Sequence, residues 1–388
     1  MRGPAKAAVG DLALFGGPPL LTRPAHVGAP NVPDPARVTA LIAGALERRW
    51  LTNDGPLVQA FEARLREAHG VRHAVTTSSG TLGLMLMIRA LGLTGSVVVP
   101  ALTFVATAHA LLWQGVTPVF CDVDPETWML DPERVAAAIR PDTSGVLGVH
   151  LWGHVCDVEG LEAVTRPRGL RLAFDAAHAV ASSRGGRPAG GFGEAEALSF
   201  HATKVLNAFE GGAVTTDDDG LAERLALMRN FGFAGPDEVV SAGINGKMSE
   251  AHAAMGLASL EELPRFLEAN ARNMAAYRRG LEAVPGVRLR AAPAAGETND
   301  HYVVIEVDRA SAGLSRDALC DLLTAENVLA RRYFFPGCHR MEPYRSLWPD
   351  AGERLPVTER LLGRVLCLPT GTAVDAAAVD RVCALIGF

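Results

Sequence analysis

Lysine is almost absent from this chain of 388 residues. Only Lys6, Lys204 and Lys247 are lysines, so arginine supplies nearly all of the 37 basic residues. A guanidinium group stays charged and cannot act as a nucleophilic amine. Any reaction that needs an amine must therefore use one of three positions. Lys204 stands out among them, because it lies between an apolar segment and two glycines in "SFHATKVLNAFEGG" (199–212).

The chain also lacks long apolar runs and clusters of positive charge. No apolar stretch approaches the roughly 20 residues that span a bilayer, and the N-terminus lacks a signal-peptide layout. The net charge is −6 without any basic run, which argues against a nucleic-acid surface. The six cysteines are scattered without a C-x-x-C pair. We therefore expect free thiols in a cytoplasmic protein that binds neither membrane nor nucleic acid.

Short apolar segments alternate with helical patterns between about residues 71 and 216. "VRHAVTT" leads into "SSGTLGLMLMIRALGL", and "SVVVP" is followed by "TFVATAHALLWQ". This alternation predicts parallel strands with helices on both faces of the sheet. Continuous apolar strands such as "SVVVP" fit a sheet that is buried on both sides. The fold class is therefore α/β.

The pattern changes after residue 260. One long helical stretch, which we expect Pro264 to bend, leads to a linker-like run and the strand "HYVVIEV". A helix around "SRDALCDLL", a loop-rich stretch and a final helix follow. We predict a large α/β domain over residues 1–260, including an N-terminal arm, and a smaller C-terminal α+β domain over residues 261–388.

Ligands of open α/β sheets bind at the carboxyl ends of the strands, so the residues that follow each strand are the candidates. Ser79, Gly80 and Thr81 open a helix, whose free amides suit a phosphate, although a helix cap explains a serine there equally well. Asp175 ends "RLAFD", where a buried carboxylate needs a cation such as a protonated pyridine nitrogen, or caps a helix. Phe104 offers a ring that either stacks on a flat ligand or packs in the core.

Lys204 completes this set of candidates. A lysine that is desolvated among apolar neighbours has a lowered pKa and becomes nucleophilic, whereas the alternative is a solvated surface lysine. A phosphate cradle, a carboxylate for a ring nitrogen, a stacking aromatic and a Schiff-base lysine are together what pyridoxal phosphate needs. The residues after the strands therefore predict this cofactor.

The chain resembles the DegT/StrS family of pyridoxal-phosphate-dependent sugar aminotransferases. The resemblance covers almost the whole chain and is carried by "LTNDGPLVQAFE", "TSSGTLGL", "VVPALTFVATAHAL", "LAFDAAHAVASSRGG", "LSFHATKVLNAFEGGAVTT" and "GINGKMSEAHAAMGLASL". It implies the fold of the type I pyridoxal-phosphate transferases. Such a fold has a large domain with a mixed, mostly parallel sheet flanked by helices, and a smaller C-terminal α+β domain.

The resemblance also implies cofactor-binding roles. Lys204 would form the Schiff base with the cofactor, in its pyridoxal form, and would move the proton as base and acid. Asp175 would keep the pyridine nitrogen protonated, and His178 would approach the phenolic oxygen. Asn245 would reach the phosphate of the neighbouring subunit, in a homodimer with shared active sites. The remaining implied cofactor contacts are Ser79, Gly80, Thr81, Phe104 and Ser199.

The implied reaction takes an amino group from glutamate and passes it, through the pyridoxamine form of the cofactor, to the C4 ketone of a dTDP-linked 4-keto-6-deoxyhexose. Such a reaction belongs to the biosynthesis of deoxyamino sugars. Relatives that deoxygenate sugars carry histidine in place of the Schiff-base lysine, so Lys204 argues against that branch. The substrate contacts implied are Thr52, Asn53, Arg229, Phe233, Lys247, Tyr333, His339 and Tyr344.

Several alternatives stay open at this point. Amination of a C3 ketone or of a cyclitol ketone requires only loop changes. A non-catalytic sensor or scaffold with the same fold is an alternative of another class. A metal site in "HLWGHVCD", built from His150, His154, Cys156 and Asp157, is not expected, because these residues follow a strand and do not share one helix face.

Overall fold

The structure is a computed structural model that describes residues 6–293 and 295–388. The strands within these ranges are β1 (Ala25–His26), β2 (His73–Thr77), β3 (Ser96–Pro100), β4 (Thr117–Cys121), β5 (Thr143–Val149), β6 (Arg171–Asp175), β7 (Ser183–Arg184), β8 (Arg187–Pro188), β9 (Ala195–Ser199), β10 (Gly212–Thr216), β11 (Phe233–Gly235), β12 (Glu238–Val239), β13 (Val287–Leu289), β14 (Val303–Val307), β15 (Val328–Leu329) and β16 (Val365–Leu368).

The helices of the described ranges connect these strands. They are α1 (Pro35–Arg48), α2 (Pro56–His69), α3 (Gly80–Ala90), α4 (Val105–Leu112), α5 (Pro132–Ala138), α6 (Val158–Thr165), α7 (Asp219–Met228), α8 (Glu250–Glu261), α9 (Leu263–Leu281), α10 (Arg309–Ala312), α11 (Arg316–Ala325), α12 (Tyr344–Leu347), α13 (Pro356–Leu362) and α14 (Ala376–Ile386). No described helix has the length and apolar character that crossing a membrane requires.

A seven-stranded sheet forms the centre of the molecule, with the strand order β2-β10-β9-β6-β5-β3-β4. Every neighbouring pair is parallel except the two that involve β10, which runs antiparallel to both β2 and β9. All five residues of β3, of β9 and of β10 are buried. The prediction of a mixed, mostly parallel sheet flanked by helices is confirmed, and the carboxyl ends of β2, β6 and β9 lie at one edge of it.

The helical stretch after residue 249 consists of two helices, and the expectation of a single bent helix is wrong. Helix α8 ends at Glu261, and α9 begins at Leu263 with Pro264 in its first turn. A proline is accepted in the first turn because the amide that it lacks has no intrahelical partner there. Helix α8 packs on α1 and α2, whereas α9 packs on α14, so the break separates two packing environments.

A second, smaller core lies under the antiparallel sheet β13-β14-β16. The N-terminal segment contributes Leu12, Leu20 and Leu21 to this core, and β1 pairs in parallel with β15. Glu326 fixes the segment by accepting hydrogen bonds from the amides of Ala13 and Leu20. The N-terminal arm, whose first five residues lie outside the described ranges, therefore packs on the C-terminal part of the chain. We keep the division at residues 260 and 261 as a proposal, with the arm attached to the smaller unit.

Glu250 joins α8 to the start of α2. Its side chain is fully buried, and its two carboxylate oxygens accept hydrogen bonds from the amides of Leu57 and Val58, at 3.0 and 2.9 Å. The residue that precedes α2 is Gly55, which has no side chain with which to cap the helix. A Cβ atom at Gly55 would lie 2.5 Å from the carboxyl carbon of Glu250. A distant carboxylate thus satisfies amides that a helix start otherwise leaves unpaired.

We expect Glu250→Ala to lower the free energy of unfolding by about 2–3 kcal/mol, because two buried amides lose a charged acceptor. Urea unfolding followed by circular dichroism measures this change. Glu67→Ala is the matched control, since Glu67 is exposed and, among the described residues, forms an ion pair with Arg64 alone, on the same helix. The control should change stability by less than about 0.5 kcal/mol. Equal effects of the two substitutions would contradict the capping role of Glu250.

Candidate active site

The start of α3 lies at the carboxyl edge of the sheet, beside the end of β9. Ser79 caps the helix, because its hydroxyl oxygen accepts a hydrogen bond from the amide of Leu82 at 3.2 Å. Of the two roles considered for this serine, the structure shows the helix cap. No described residue accepts a hydrogen bond from the backbone amides of Gly80 or Thr81. A Cβ atom at Gly80 would lie 2.7 Å from Cβ of Ser199, so α3 begins directly against the end of β9. Two free amides at a helix N-terminus, beside a serine, suit a phosphate group.

Asp175 ends β6 and is 5% exposed. Its Oδ2 accepts a hydrogen bond from the hydroxyl of Thr107 at 2.7 Å, and its Oδ1 accepts one from the amide of Ala177 at 3.1 Å. Burial raises the pKa of the carboxyl group above its ordinary value, although these hydrogen bonds and the charge of Lys204 oppose the rise. A buried carboxylate of this kind is stabilised further by a cation that approaches it.

Lys204 follows β9 in a tight turn, in which its amide donates to the carbonyl of His201 at 2.8 Å. Its side chain is half-buried, and no described residue lies within hydrogen-bond or ion-pair distance of Nζ. Desolvation lowers the pKa of the amine to about 8, against the opposing charge of Asp175. An amine without a partner and with a pKa near neutrality is nucleophilic at physiological pH.

His178 lies three residues beyond Asp175, the last residue of β6, and its ring is buried. Its Nδ1 faces the amide of Trp152, which donates to it at 3.3 Å, so the proton of the neutral ring is placed on Nε2. Burial holds the pKa of His178 well below its ordinary value, and the charges of Lys204 and His301 add to the shift. The ring is therefore a neutral donor that suits an anionic oxygen.

These residues fit pyridoxal phosphate on three observations of the structure. The free amides of Gly80 and Thr81 suit its phosphate, and the buried carboxylate of Asp175 suits a protonated ring nitrogen. The unpartnered amine of Lys204 suits its aldehyde. The chain thus brings Ser79, Gly80, Thr81, Asp175, His178, Ser199 and Lys204 to one edge of the sheet.

Two of the predicted cofactor contacts lie differently. Phe104 precedes α4 and is 55% exposed, and its ring lies 5.9 Å from that of Phe334. It is not a core residue, so its ring remains available to a ligand. Asn245 is exposed and accepts a hydrogen bond from Nζ of Lys247 at 2.7 Å. An exposed side chain in this position is compatible with a contact to a second chain.

Four of the predicted substrate contacts line one cavity of about 280 Å³: Asn53, Arg229, Phe233 and Lys247. Thr52 is exposed beside it but does not line it. The guanidinium of Arg229 is buried and pairs with both Glu62 and Asp54. Since these carboxylates and Thr76 already engage it, Arg229 shapes the cavity wall and is not a free cation for a substrate.

The side chains of His339 and Tyr344 are engaged within the protein, and their contacts with a substrate stay a prediction. Both side chains are buried, and each has a partner within the protein. Nε2 of His339 lies 2.6 Å from a carboxylate oxygen of Glu359, and the hydroxyl of Tyr344 lies 2.7 Å from Nδ1 of His109. Tyr333 is different, because it lines a cavity of about 480 Å³ together with Phe104.

Sequence reasoning missed several residues that surround Asp175, His178 and Lys204. Thr107 is one of them, and its signal was a threonine among the apolar residues at the start of the helix "VATAHALL". The ring of Tyr302 stacks on His178 with 4.3 Å between centroids, and His301 contacts the residue before Lys204. These two lie about 100 residues further along the chain, and no local pattern indicates their position.

The alternative metal site is not assembled. Within residues 6–293 and 295–388, no group of three or more His, Cys, Asp or Glu side chains is placed to hold a metal ion. His150 instead lies 3.4 Å from the buried carboxylate of Glu196 and stacks on Phe174.

Comparison with known proteins gives a family match over residues 35–387, to the DegT/DnrJ/EryC1/StrS aminotransferase family. The dTDP-4-amino-4,6-dideoxy-D-glucose transaminase of Escherichia coli is 33% identical over 361 residues, which cover 93% of this chain and 97% of that protein. The GDP-perosamine synthase of Caulobacter vibrioides is also 33% identical, over 88% of this chain and 92% of that protein.

A solved structure extends the comparison to three dimensions. The crystal structure of DesI in the presence of its TDP-sugar product is 50% identical to this chain, with a TM-score of 0.92. The match covers 98% of this chain and 96% of that one. The two proteins therefore share the fold over almost their full lengths.

We expect the reactivity of Lys204 in the cofactor-free protein to rise with pH through a midpoint near the pKa of about 8, because only the neutral amine attacks an aldehyde. The protein is mixed with pyridoxal phosphate at a series of pH values and reduced with borohydride. Peptide mass mapping then measures the label at Lys204. Lys204→Arg should lose this label while Lys247→Arg keeps it. A label on another residue, or a midpoint near that of free lysine, would refute the assignment.

Proposed function

The chain belongs to the DegT/DnrJ/EryC1/StrS aminotransferase family, and we propose that it transfers the amino group of glutamate to the C4 ketone of a dTDP-linked 4-keto-6-deoxyhexose. It is an enzyme, and the aminotransferases of this family depend on pyridoxal phosphate. The observation that carries the proposal is the unpartnered amine of Lys204, with its lowered pKa, at the same sheet edge as the buried carboxylate of Asp175.

Pyridoxal phosphate, when bound, supplies a positively charged ring that withdraws electrons from the substrate carbon. We assign the residues around it as follows. Lys204 would hold the cofactor through Nζ, and Asp175 would stabilise its protonated ring nitrogen. His178 would donate from Nε2 to the phenolic oxygen, and the amides of Gly80 and Thr81, with Ser199, would hold the phosphate.

Lys204 also suits the proton transfer that an amino-group exchange requires. A general base works best when its pKa lies near the working pH, and desolvation brings the amine to about 8. Arginine could not take this role, because it does not release its proton. The half-buried setting of the side chain limits its contact with water while leaving Nζ free to reach a bound substrate.

The nucleotide sugar is proposed to lie between Lys204 and the cavity that Phe104 and Tyr333 line. The sugar carbon and the nucleotide are inferred from the relatives. The Escherichia coli protein is named for a dTDP-linked 4-amino sugar, and DesI was crystallised with a TDP-sugar. Amination of a C3 ketone is the alternative. Moving one hydroxyl group on the substrate changes the free energy of binding in a pocket by only about 1–3 kcal/mol.

We further propose a homodimer with shared active sites. A group of apolar side chains is exposed around the hairpin β11–β12 and the segment that follows it: Phe231, Phe233, Val239, Val240 and Ile244. Asn245 lies next to this surface. An exposed apolar patch of this kind favours a protein partner, and a second copy would bring Asn245 toward a neighbouring phosphate.

All six cysteines are free and buried, which supports a reducing compartment such as the cytoplasm.

The proposed function is tested with a panel of keto sugars. The loaded enzyme is incubated with glutamate and with dTDP-linked 4-keto, dTDP-linked 3-keto or GDP-linked 4-keto 6-deoxyhexoses, and 2-oxoglutarate and amino sugar are measured by mass spectrometry. We expect kcat/KM for the dTDP-linked 4-keto sugar to exceed the other values by about 10-fold to 200-fold.

Lys204→Arg serves as the control and should show no turnover with any sugar. A preference for the 3-keto sugar would overturn the choice of carbon, and turnover with another amino donor but not with glutamate would overturn the choice of donor. Absence of turnover with all three sugars would favour a cyclitol ketone or a non-catalytic role.

A further inference from the structure

The segment of residues 299–302 enters the active site from the C-terminal part of the chain, immediately before β14. Asn299 is 2% exposed, and its side-chain amide donates to the carbonyl oxygens of His178 and Val180, at 2.8 and 2.9 Å. It therefore holds the turn that follows Asp175. Its Oδ1 in turn accepts a hydrogen bond from the amide of His301 at 3.1 Å, which fixes the course of the segment.

His301 contacts the second active-site turn. Its Nε2 lies 2.9 Å from the carbonyl oxygen of Thr203, the residue that precedes Lys204, and Nδ1 lies 3.4 Å from the side-chain amide of Asn270. A carbonyl accepts and an amide N–H donates, so Nε2 carries the proton and Nδ1 accepts. The ring is buried, and this burial lowers the pKa of His301 to about 4. A neutral imidazole of fixed tautomer thus holds the backbone beside Lys204.

Tyr302 contacts the side chain of His178 directly. The two rings stack with 4.3 Å between centroids and 28° between planes. Because Trp152 holds the Nδ1 side of the His178 ring, the stacking of Tyr302 sets the direction in which Nε2 points. Each of the three residues therefore fixes one part of the site. Asn299 fixes the backbone turn after Asp175, His301 fixes the backbone next to Lys204, and Tyr302 fixes the ring of His178.

We propose that residues 299–302 are a positioning element through which the C-terminal part of the chain sets the geometry of Lys204 and His178. His301 is a positioning residue for Lys204, and Tyr302 is one for His178; both assignments rest on the proposed function. Residues 303–307 continue directly as β14 of the smaller sheet.

The test compares two substitutions of His301. His301→Gln keeps an N–H donor close to the place of Nε2, whereas His301→Phe removes the donor but retains a ring. Val303→Ala is the matched control, because Val303 is buried in β14 and touches the smaller core. Hydrogen–deuterium exchange of the peptide around Lys204 and the rate of borohydride-trapped pyridoxal phosphate capture at Lys204 are measured for each cofactor-free protein.

We expect His301→Phe to lose exchange protection around Lys204 and to slow capture by about tenfold, with His301→Gln close to the original protein. In the loaded enzyme kcat should fall by a similar factor while KM for both substrates changes less than about twofold. Val303→Ala should leave capture and exchange at Lys204 unchanged. Capture and exchange in His301→Phe that match those of Val303→Ala, or a failure of His301→Gln to restore them, would overturn the proposal.

Tyr302→Leu provides a second variant if His301→Phe does not fold. It should leave exchange around Lys204 intact but shift the absorbance maximum of the bound cofactor, because the imidazole that faces the phenolic oxygen loses its stacking partner. An unchanged absorbance maximum would contradict the role of Tyr302. Capture of pyridoxal phosphate at Lys204 in the original protein tests the proposed function separately, so the two ideas fail by different results.

Discussion

The buried carboxylate of Asp175, at the end of a central strand, is the constraint on which the rest of the site depends. A charge in this position is unfavourable unless hydrogen bonds and a cation compensate it. Thr107 and the amide of Ala177 supply two hydrogen bonds, and Lys204 supplies only a distant charge, because its amine is not within ion-pair distance. A cationic ligand group that approached the carboxylate would stabilise it further.

The electrostatics of the surrounding groups follow from the same burial. Desolvation lowers the pKa values of Lys204, His178 and His301 together. The site therefore holds an amine with a pKa of about 8 and two neutral imidazoles. Each imidazole has its tautomer set by a backbone or amide partner on one side. The site therefore combines one buried anion with donors of defined direction, an arrangement that favours a ligand bearing a ring cation and anionic oxygens.

The alternation of short apolar segments and helical patterns was enough to predict the α/β class and the strand end at Asp175. The scarcity of lysine was enough to single out Lys204.

Contacts between distant parts of the chain were not predictable from these patterns. Glu250 caps a helix that begins 194 residues earlier at Pro56, and His301 holds a turn about 100 residues earlier. Periodicity describes which face of an element is buried but not which other element covers it. The same limit applies to His339 and Tyr344, since a polar aromatic in a loop is as well suited to pairing with Glu359 or His109 as to binding a sugar.

The pairing of Asp175 with a protonated ring nitrogen is the central claim, and nitrogen NMR tests it most directly. The enzyme is loaded with pyridoxal phosphate that carries nitrogen-15 in the ring, and the chemical shift is compared with that of Asp175→Asn. We expect a protonated nitrogen in the original protein and an unprotonated one in the variant, because only the carboxylate stabilises the cation. An unprotonated nitrogen in the original protein, or the same shift in both, would contradict the account.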